Sequence, residues 1–458
     1  LRLQGGHPFF MMMPFQSERS VVRPLLLAIA LLVAAVSARE ATAAQRVYID
    51  ITQPHFVQLP IAVTDLREEG PAGEGLGRLL ASVVSNDLDL SGLFRVLDPR
   101  GFLGSGQDEG LTAAEIRFDR WRQVGAEFLV RGKCSREGSR LRVEYRLYDV
   151  VAQRLVVGKI YEGRVEDARV MAHRFANEIL AALTGEPGIF DTQIAFVQAK
   201  DGVKEIFLMD IDGENLKQVT RDGSTALSPA WSPDARHLAY VSYFEGAPKL
   251  YVVDLFTGQR RNLCGYPGLN ISPAWRPGGD GLAVTLSKDG NPDIYLVDLN
   301  GQVVRKLASS WAIDVSPSWS PDGKRLAYVS GETGNPQIYV LDLATGRKER
   351  LTYHGKYNTA PSWSPKGDWI AYSGMDKGLN NIYIIRPDGS EIRQLTHNEG
   401  DNEAPSWSPD GRMIAFTSTR QGGRAAVWVM LLNGEGVKRL TRLPGEQSLP
   451  DWSPRLPR

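Results

Sequence analysis

Pro317-Ser318-Trp319-Ser320-Pro321 is one of six copies of a phrase whose repetition decides the fold. The other copies begin at Pro229, Pro273, Pro361, Pro405 and Pro450, with Arg276 in place of the serine in one. Their tryptophans, Trp231, Trp275, Trp319, Trp363, Trp407 and Trp452, stand 44, 44, 44, 44 and 45 residues apart. A fixed period of this size marks a repeat architecture, in which each unit buries its apolar face only against its neighbours.

Working outward from the phrase, each unit carries further marks at the same period. An apolar triplet recurs at Ile194-Ala195-Phe196, Leu238-Ala239-Tyr240, Leu282-Ala283-Val284, Leu326-Ala327-Tyr328, Ile370-Ala371-Tyr372 and Ile414-Ala415-Phe416. A second apolar pair follows at Ile206, Leu250, Ile294, Ile338, Ile382 and Val427, and a closing mark at Val219, Leu263, Leu307, Leu351, Leu395 and Leu440. Pro321-Asp322-Gly323 and Pro409-Asp410-Gly411 are tight-turn sequences, and Gly246, Gly290, Gly334, Gly378 and Gly422 punctuate a second hairpin. Four short strands per unit and six units predict a six-bladed β-propeller over residues 189–458. The first unit lacks a Pro-x-Trp segment and Trp452 has no strands after it, so the last segment is expected to supply the missing strand and close the ring.

The tryptophans, each beside a small residue such as Ala230 or Ser318, suit packing between blades. Ligand stacking is the alternative. On either reading the variable residues just before each phrase are better placed to carry specificity.

Residues 45–184 form a different region, with 185–188 as linker. Apolar runs at Leu59 to Thr64 and Phe94 to Leu97, and period-two patterns over Arg140 to Val150 and Arg154 to Gly163, read as strands. Helices are expected over about 77–88, facing inward with Leu79, Leu80, Val83 and Leu88, around Phe118 and Trp121, and over 166–183 with Val170, Phe175, Ile179 and Leu183. A small α+β domain with a mixed sheet follows.

Residues 1–44 read as an upstream extension and signal peptide. Arg19 and Arg23 precede the apolar run Leu25 to Val36, and small residues at Val36-Ser37-Ala38 and Ala41-Thr42-Ala43-Ala44 offer two cleavage sites. Export to the periplasm is the expectation, with no direct membrane span.

Lys plus Arg and Asp plus Glu balance at 53 each, which gives no case for nucleic acid. Cys134 and Cys264 lie in different regions and are read as unpaired, Cys264 falling where other repeats have Thr220, Thr352, Thr396 and Thr441. Gly104-Ser105-Gly106 lacks the context of a phosphate loop, and no G-x-S-x-G elbow occurs. His55, His173, His237, His354 and His397 share no repeat register, so no catalytic residue, metal or cofactor is assigned.

Repeats of P-x-W-S-P-D-G with I-A-F and I-Y-V-x-D marks, behind a leader and a small α+β domain, resemble the periplasmic TolB family of the Gram-negative Tol-Pal system. The resemblance implies a non-enzymatic adaptor, monomeric alone, that supports outer-membrane integrity and cell division. It implies that the propeller binds a Pal-type peptidoglycan-associated lipoprotein through Leu269, Asn270, Ile271 and Ser272 together with Asp314, Val315 and Ser316. Ring symmetry adds Asn358, Thr359, Asn402 and Glu403. Family members usually carry a histidine where this chain has Leu269. The resemblance further implies that a TolA-type inner-membrane protein is engaged by Gln45, Arg46, Val47, Tyr48, Ile49, Asp50 and Ile51, whose alternation suits strand addition to a partner and equally a strand of their own domain. A propeller hydrolase or lactonase, or a glycan-binding propeller using Tyr243, Phe244, Trp311 and Tyr357, is the competing reading.

Overall fold

The computed structural model describes residues 57–70, 75–103 and 109–456. The leader, the Gln45 to Ile51 segment and Gly104-Ser105-Gly106 lie outside the described residues.

In the first region the strands are β1 (Leu59–Val63), β2 (Arg67–Glu69), β3 (Phe94–Val96), β4 (Phe128–Glu137), β5 (Arg140–Asp149) and β6 (Arg154–Arg164). They form one mixed sheet in the order β3-β1-β4-β5-β6, with β2 also paired to β4. Pairs among β1, β2, β3 and β4 are parallel, whereas β4-β5 and β5-β6 are antiparallel. The alternation in β5 buries Leu141, Val143, Tyr145 and Leu147 against α1 (Leu76–Leu90) and α3 (Ala168–Thr184), where Tyr145 stacks on Phe175 at 4.5 Å. A short helix α2 (Phe118–Gln123) covers the other side with Phe118 and Trp121. Two helical expectations need correction, because Leu79 and Val170 are exposed. The inward stripes are narrower than the apolar count suggests, and Val83, Val84, Met171 and Ala172 fill the positions nearest the sheet.

The remainder is six four-stranded antiparallel sheets. Five are built in sequence, over Ala226–Cys264, Asn270–Ala308, Asp314–Arg350, Asn358–Gln394 and Asn402–Arg439. The first blade is composite: the closing strand Glu446–Trp452 pairs with β7 (Gln193–Lys200), followed by β8 (Val203–Asp210) and β9 (Lys217–Gln218). The two ends of the ring therefore meet inside one sheet, as expected from the count of phrases.

The tryptophans join the blades. Five are buried and Trp275 is half-buried. The indole N–H of Trp275 donates to the Ala230 carbonyl of the preceding blade at 3.0 Å, that of Trp319 to Ala274 at 3.1 Å, that of Trp407 to Ser362 at 2.9 Å and that of Trp231 to Asp451 at 3.1 Å. Two of the small residues accept the next tryptophan's backbone N–H through a hydroxyl, Ser318 from Trp363 and Ser406 from Trp452, both at 2.9 Å. Such side chains bury a large apolar area while their one polar group finds a partner.

Threonine closes four of the six fourth strands in a similar way, Cys264 and Ala308 standing at the position in the other two. Thr220, Thr352, Thr396 and Thr441 accept the backbone N–H of Ile206, Ile338, Ile382 and Val427, each at 2.9 Å. Cys264 replaces this group in the second blade and is buried as a free thiol, as is Cys134.

The α+β region and the ring share one apolar core. Residues of α1 and α3 pack with Ile194, Met209 and Ile211 of the first blade and with Val429, Leu431 and Leu440 of the sixth. Polar contacts at this joint run from Lys438 to Asp89 and from Arg169 to Asp212.

Candidate functional site

Each inner strand begins with the residues that vary and ends in the repeated phrase. Between them the chain makes a bulge. The residue before the first proline adopts a left-handed backbone in all six copies, with φ of 51° at Ser228, 52° at Ser272, 54° at Ser316, 50° at Ala360, 51° at Ala404 and 52° at Leu449. Pairing with the next strand shifts there, for example between Ile271 and Ala274. Proline has no N–H for the ladder, and a bulge lets the strand pass it. A left-handed non-glycine residue costs roughly 1–2 kcal/mol, which the surrounding pairing must outweigh.

The bulge sorts the residues at the strand starts. Except in the closing strand, where Glu446 is exposed, the first residue of the inner strand turns into the seam between blades, and the next two are more exposed. Asn270, Asp314, Asn358 and Asn402 are all buried, so they lie beneath the face and not on it. Asn270 donates from Nδ2 to the Pro248 carbonyl of the previous blade at 3.1 Å and to Tyr266 at 2.7 Å. Asn358 donates to Gln337 Oε1 across the seam at 2.9 Å and to His354 at 2.8 Å, and Asn402 donates to Gly400 at 2.8 Å and accepts from Ser418 Oγ at 2.7 Å. These amides set the loop conformations. Leu269, Ile271, Ser272, Val315, Ser316 and Thr359 are half-buried, and Glu403 is exposed.

The loops leading into the inner strands and those joining the second and third strands emerge at the same end of the blades, because Asn270 pairs with Leu286 and Asp314 with Ser330. At the other end lie the Pro-Asp-Gly turns and the third-to-fourth-strand turns, two of which carry Asp212 and Gly436 at the joint with the α+β region. Among the described residues the strand-start face is thus the end of the ring that the α+β region leaves free. It exposes Trp311 (73%), Tyr353 (68%), Phe244 (53%) and Tyr357 (43%), with Ile313 beside Trp311. Arg350 lies over the Tyr353 ring at 4.8 Å and Arg260 over Phe244 at 5.3 Å. Tyr353 and Ile313 carry no mark of the repeat; their signal in the sequence is a large apolar residue in an otherwise polar, non-repeating loop.

A cavity of ≈ 630 Å³ runs through the ring, lined by the six phrases. Among the described residues its lining is proline, serine, alanine, tryptophan and Leu449, with Asp451 as the one ionisable side chain. Asp451 accepts from Trp231 N at 2.8 Å and Ser406 Oγ at 3.3 Å, and burial lifts its carboxyl to about 6. It fastens the closing strand to the second and sixth blades, and the channel holds no converging set of acids or histidines among its lining residues.

The histidine that matters structurally is His173 on α3. Its Nδ1 lies 2.8 Å from Asp87 on α1 and its Nε2 3.8 Å from Asp210 on β8. Burial alone would lower the imidazole, but Asp87 and Asp210 together raise it to about 10. Burial lifts Asp87 to about 6 against the pull of His173. One atom each of Asp87, His173 and Asp212 lies within 4.8 Å of the others, a spacing that could hold a metal ion. With His173 on Asp87 and Arg169 on Asp212, however, two side-chain cations already serve these acids, and the cluster reads as an ionic joint between the α+β region and the first blade. Sequence could not reveal it, because Asp87 and His173 lie 86 residues apart and their partners sit across the joint.

Residues 180–456, more than half of the chain, match the TolB beta propeller domain, and residues 47–156 match the TolB amino-terminal domain. The chain belongs to the TolB family. A TolB crystal structure from Acinetobacter baumannii superposes with a TM-score of 0.77 at 30% identity, covering 87% of this chain and 97% of that one. Tol-Pal system protein TolB of Syntrophotalea carbinolica is 43% identical over 199 residues, 43% of this chain and 46% of that protein. The namesake from Anaeromyxobacter sp. is 44% identical over 212 residues, 46% of this chain and 48% of that protein. The chain spans about half the length of these curated relatives in the matched stretches. Both relatives are named as components of the Tol-Pal system, and neither name denotes an enzyme. Among the described residues no helix is long and apolar enough to cross a membrane.

Proposed function

We propose that this chain is a periplasmic adaptor of a Tol-Pal complex, which holds envelope proteins together and does no chemistry of its own. In this reading the free face of the propeller binds a Pal-type lipoprotein, and the mature N-terminus, Gln45 to Ile51, engages a TolA-type protein. Outer-membrane integrity and cell division follow as the processes served.

The observation that supports the propeller's part is the group of exposed aromatic side chains Trp311, Tyr353 and Tyr357 on loops held by a rigid, repeating frame. Large aromatic residues at such positions are the side chains that dominate protein interfaces. Leu269, Ile271, Ser272, Val315, Ser316, Thr359 and Glu403 would add contacts at the half-buried level, while Asn270, Asp314, Asn358 and Asn402 would act from beneath by holding the loops.

The test is calorimetric titration with the soluble domain of a Pal-type lipoprotein. Trp311→Ala combined with Tyr357→Ala should weaken binding by about a hundredfold, the value of a hot spot worth roughly 2–3 kcal/mol. Removal of residues 45–52 should abolish capture of a TolA-type domain and leave Pal-type binding measurable. Undiminished Pal-type binding by the double variant would remove the face from the proposal.

A further inference from the structure

The seam between the third and fourth blades breaks the pattern of its neighbours. Between the fourth and fifth blades, Asn358 donates to Gln337, a neutral amide pair at 2.9 Å. One period earlier the same two positions hold Asp314 and Asp293. Both are buried, and Asp314 N donates to the carbonyl of Pro292 at 2.8 Å, so the backbones meet as they do at Asn358 and Pro336.

Three carboxylate oxygens at this seam, both of Asp314 and Oδ1 of Asp293, are buried without a hydrogen-bond partner. The hydroxyls of Ser310 and Ser330 approach Asp314 without closing a bond in the structure. The remaining oxygen of Asp293 accepts from Lys306 Nζ at 2.8 Å. Among the described residues the charged and titratable groups around Asp314 are Asp293, Asp289, Lys306, Lys348, Glu332 and Tyr328. Lys306 serves Asp293, while Lys348, whose charge reaches Asp314, is already paired with Glu332. Two buried carboxylates with one ammonium leave one negative charge uncompensated, an arrangement too costly to persist.

We propose that Asp314 is protonated at this seam and, in that asparagine-like form, donates toward Asp293 as Asn358 donates to Gln337 in the next blade. One proton balances the charge and needs no room, whereas a divalent cation would overshoot it and would need space among atoms that expose no surface. Burial, and after it the negative charge of Asp293, raises the Asp314 carboxyl above its ordinary range, in keeping with this form. The pair is then a pH-sensitive brace beneath the free face. Its existence is independent of the partner assignment, and only its effect on binding rests on that reading.

The sign follows from the raised carboxyl. The brace is complete at acid pH and is lost as pH rises through the folded-state value. Thermal unfolding of the full chain and of Asp314→Asn, from about pH 5 to about pH 9, reads it out. Asp314→Asn should unfold at a higher temperature than wild type at alkaline pH, by a few degrees, with the gap closing toward acid pH. Infrared spectra at neutral pH should show a protonated-carboxyl band in wild type that is missing from Asp314→Asn. In an Asp293→Asn background the gap between Asp314 and Asp314→Asn should no longer vary with pH, because an amide can donate to an ionised Asp314. A gap that does not vary with pH in the wild-type background, the absence of the band, or a pH-dependent gap that survives Asp293→Asn would overturn the protonated Asp314. Stabilisation of wild type by Ca²⁺ that disappears in Asp314→Asn would also overturn it, in favour of a cation.

Discussion

Replacing His173 by leucine tests whether the α+β region is held to the ring by a buried ion pair. Burial alone would lower the imidazole, yet the Asp87 and Asp210 carboxylates raise it, whereas burial raises Asp87 against the pull of His173. Desolvation and attraction thus oppose each other, and a buried pair can contribute little as a whole. Removal of the histidine alone leaves Asp87 buried and unpaired with it, and should destabilise by about 3–5 kcal/mol, the range found for breaking buried pairs. His173→Leu with Asp87→Ala should recover most of that loss. The contribution of His173 is complete below pH 6.5 and is lost as pH rises through about 10, so the deficit of His173→Leu should shrink toward pH 10. Urea unfolding followed by circular dichroism measures the cycle, and hydrogen exchange at the α1 and α3 amides localises it. A His173→Leu variant within about 0.5 kcal/mol of wild type, or a double variant no more stable than the single one, would refute the buried pair.

Two further outcomes test the ring. Truncation before Glu446 removes the strand paired with β7, and should lower the thermal midpoint markedly in calorimetry, since it exposes the edge of the first blade and the seat of Trp452. Trp407→Phe should cost about 1 kcal/mol more than Trp363→Phe in urea denaturation, because Trp407 donates to Ser362 of the preceding blade at 2.9 Å whereas Trp363 reaches only Gly367 of its own blade at 3.4 Å.

The fold is legible in the chain because a propeller is close to one-dimensional. Each unit contacts its neighbours through the same positions, so spacing along the sequence becomes spacing around the ring. Trp452, counted against the strand missing before Ile194, is enough to predict closure. Within the α+β region the strand periods are equally readable, while the pattern places Leu79 and Val170 inward because apolar character does not report how wide a stripe the sheet can cover.

The candidate site is legible in place but not in role. Sequence locates the variable residues before each phrase, and these do cluster at the free end of the ring. It does not show that a left-handed bulge turns Asn270, Asp314, Asn358 and Asn402 into the seams, since Ser, Ala and Leu occupy the bulge without a common signature. Nor does it pair Asp314 with Asp293, or His173 with Asp87 and Asp210, because those contacts depend on which blades and helices meet. Period, strand count and the closing segment are local quantities, and the sequence by itself determined them. Burial, charge balance and exposure are set by atoms distant along the chain, and only the tertiary structure decided which tryptophans hydrogen-bond to the preceding blade and that Trp311, Tyr353 and Tyr357 face outward.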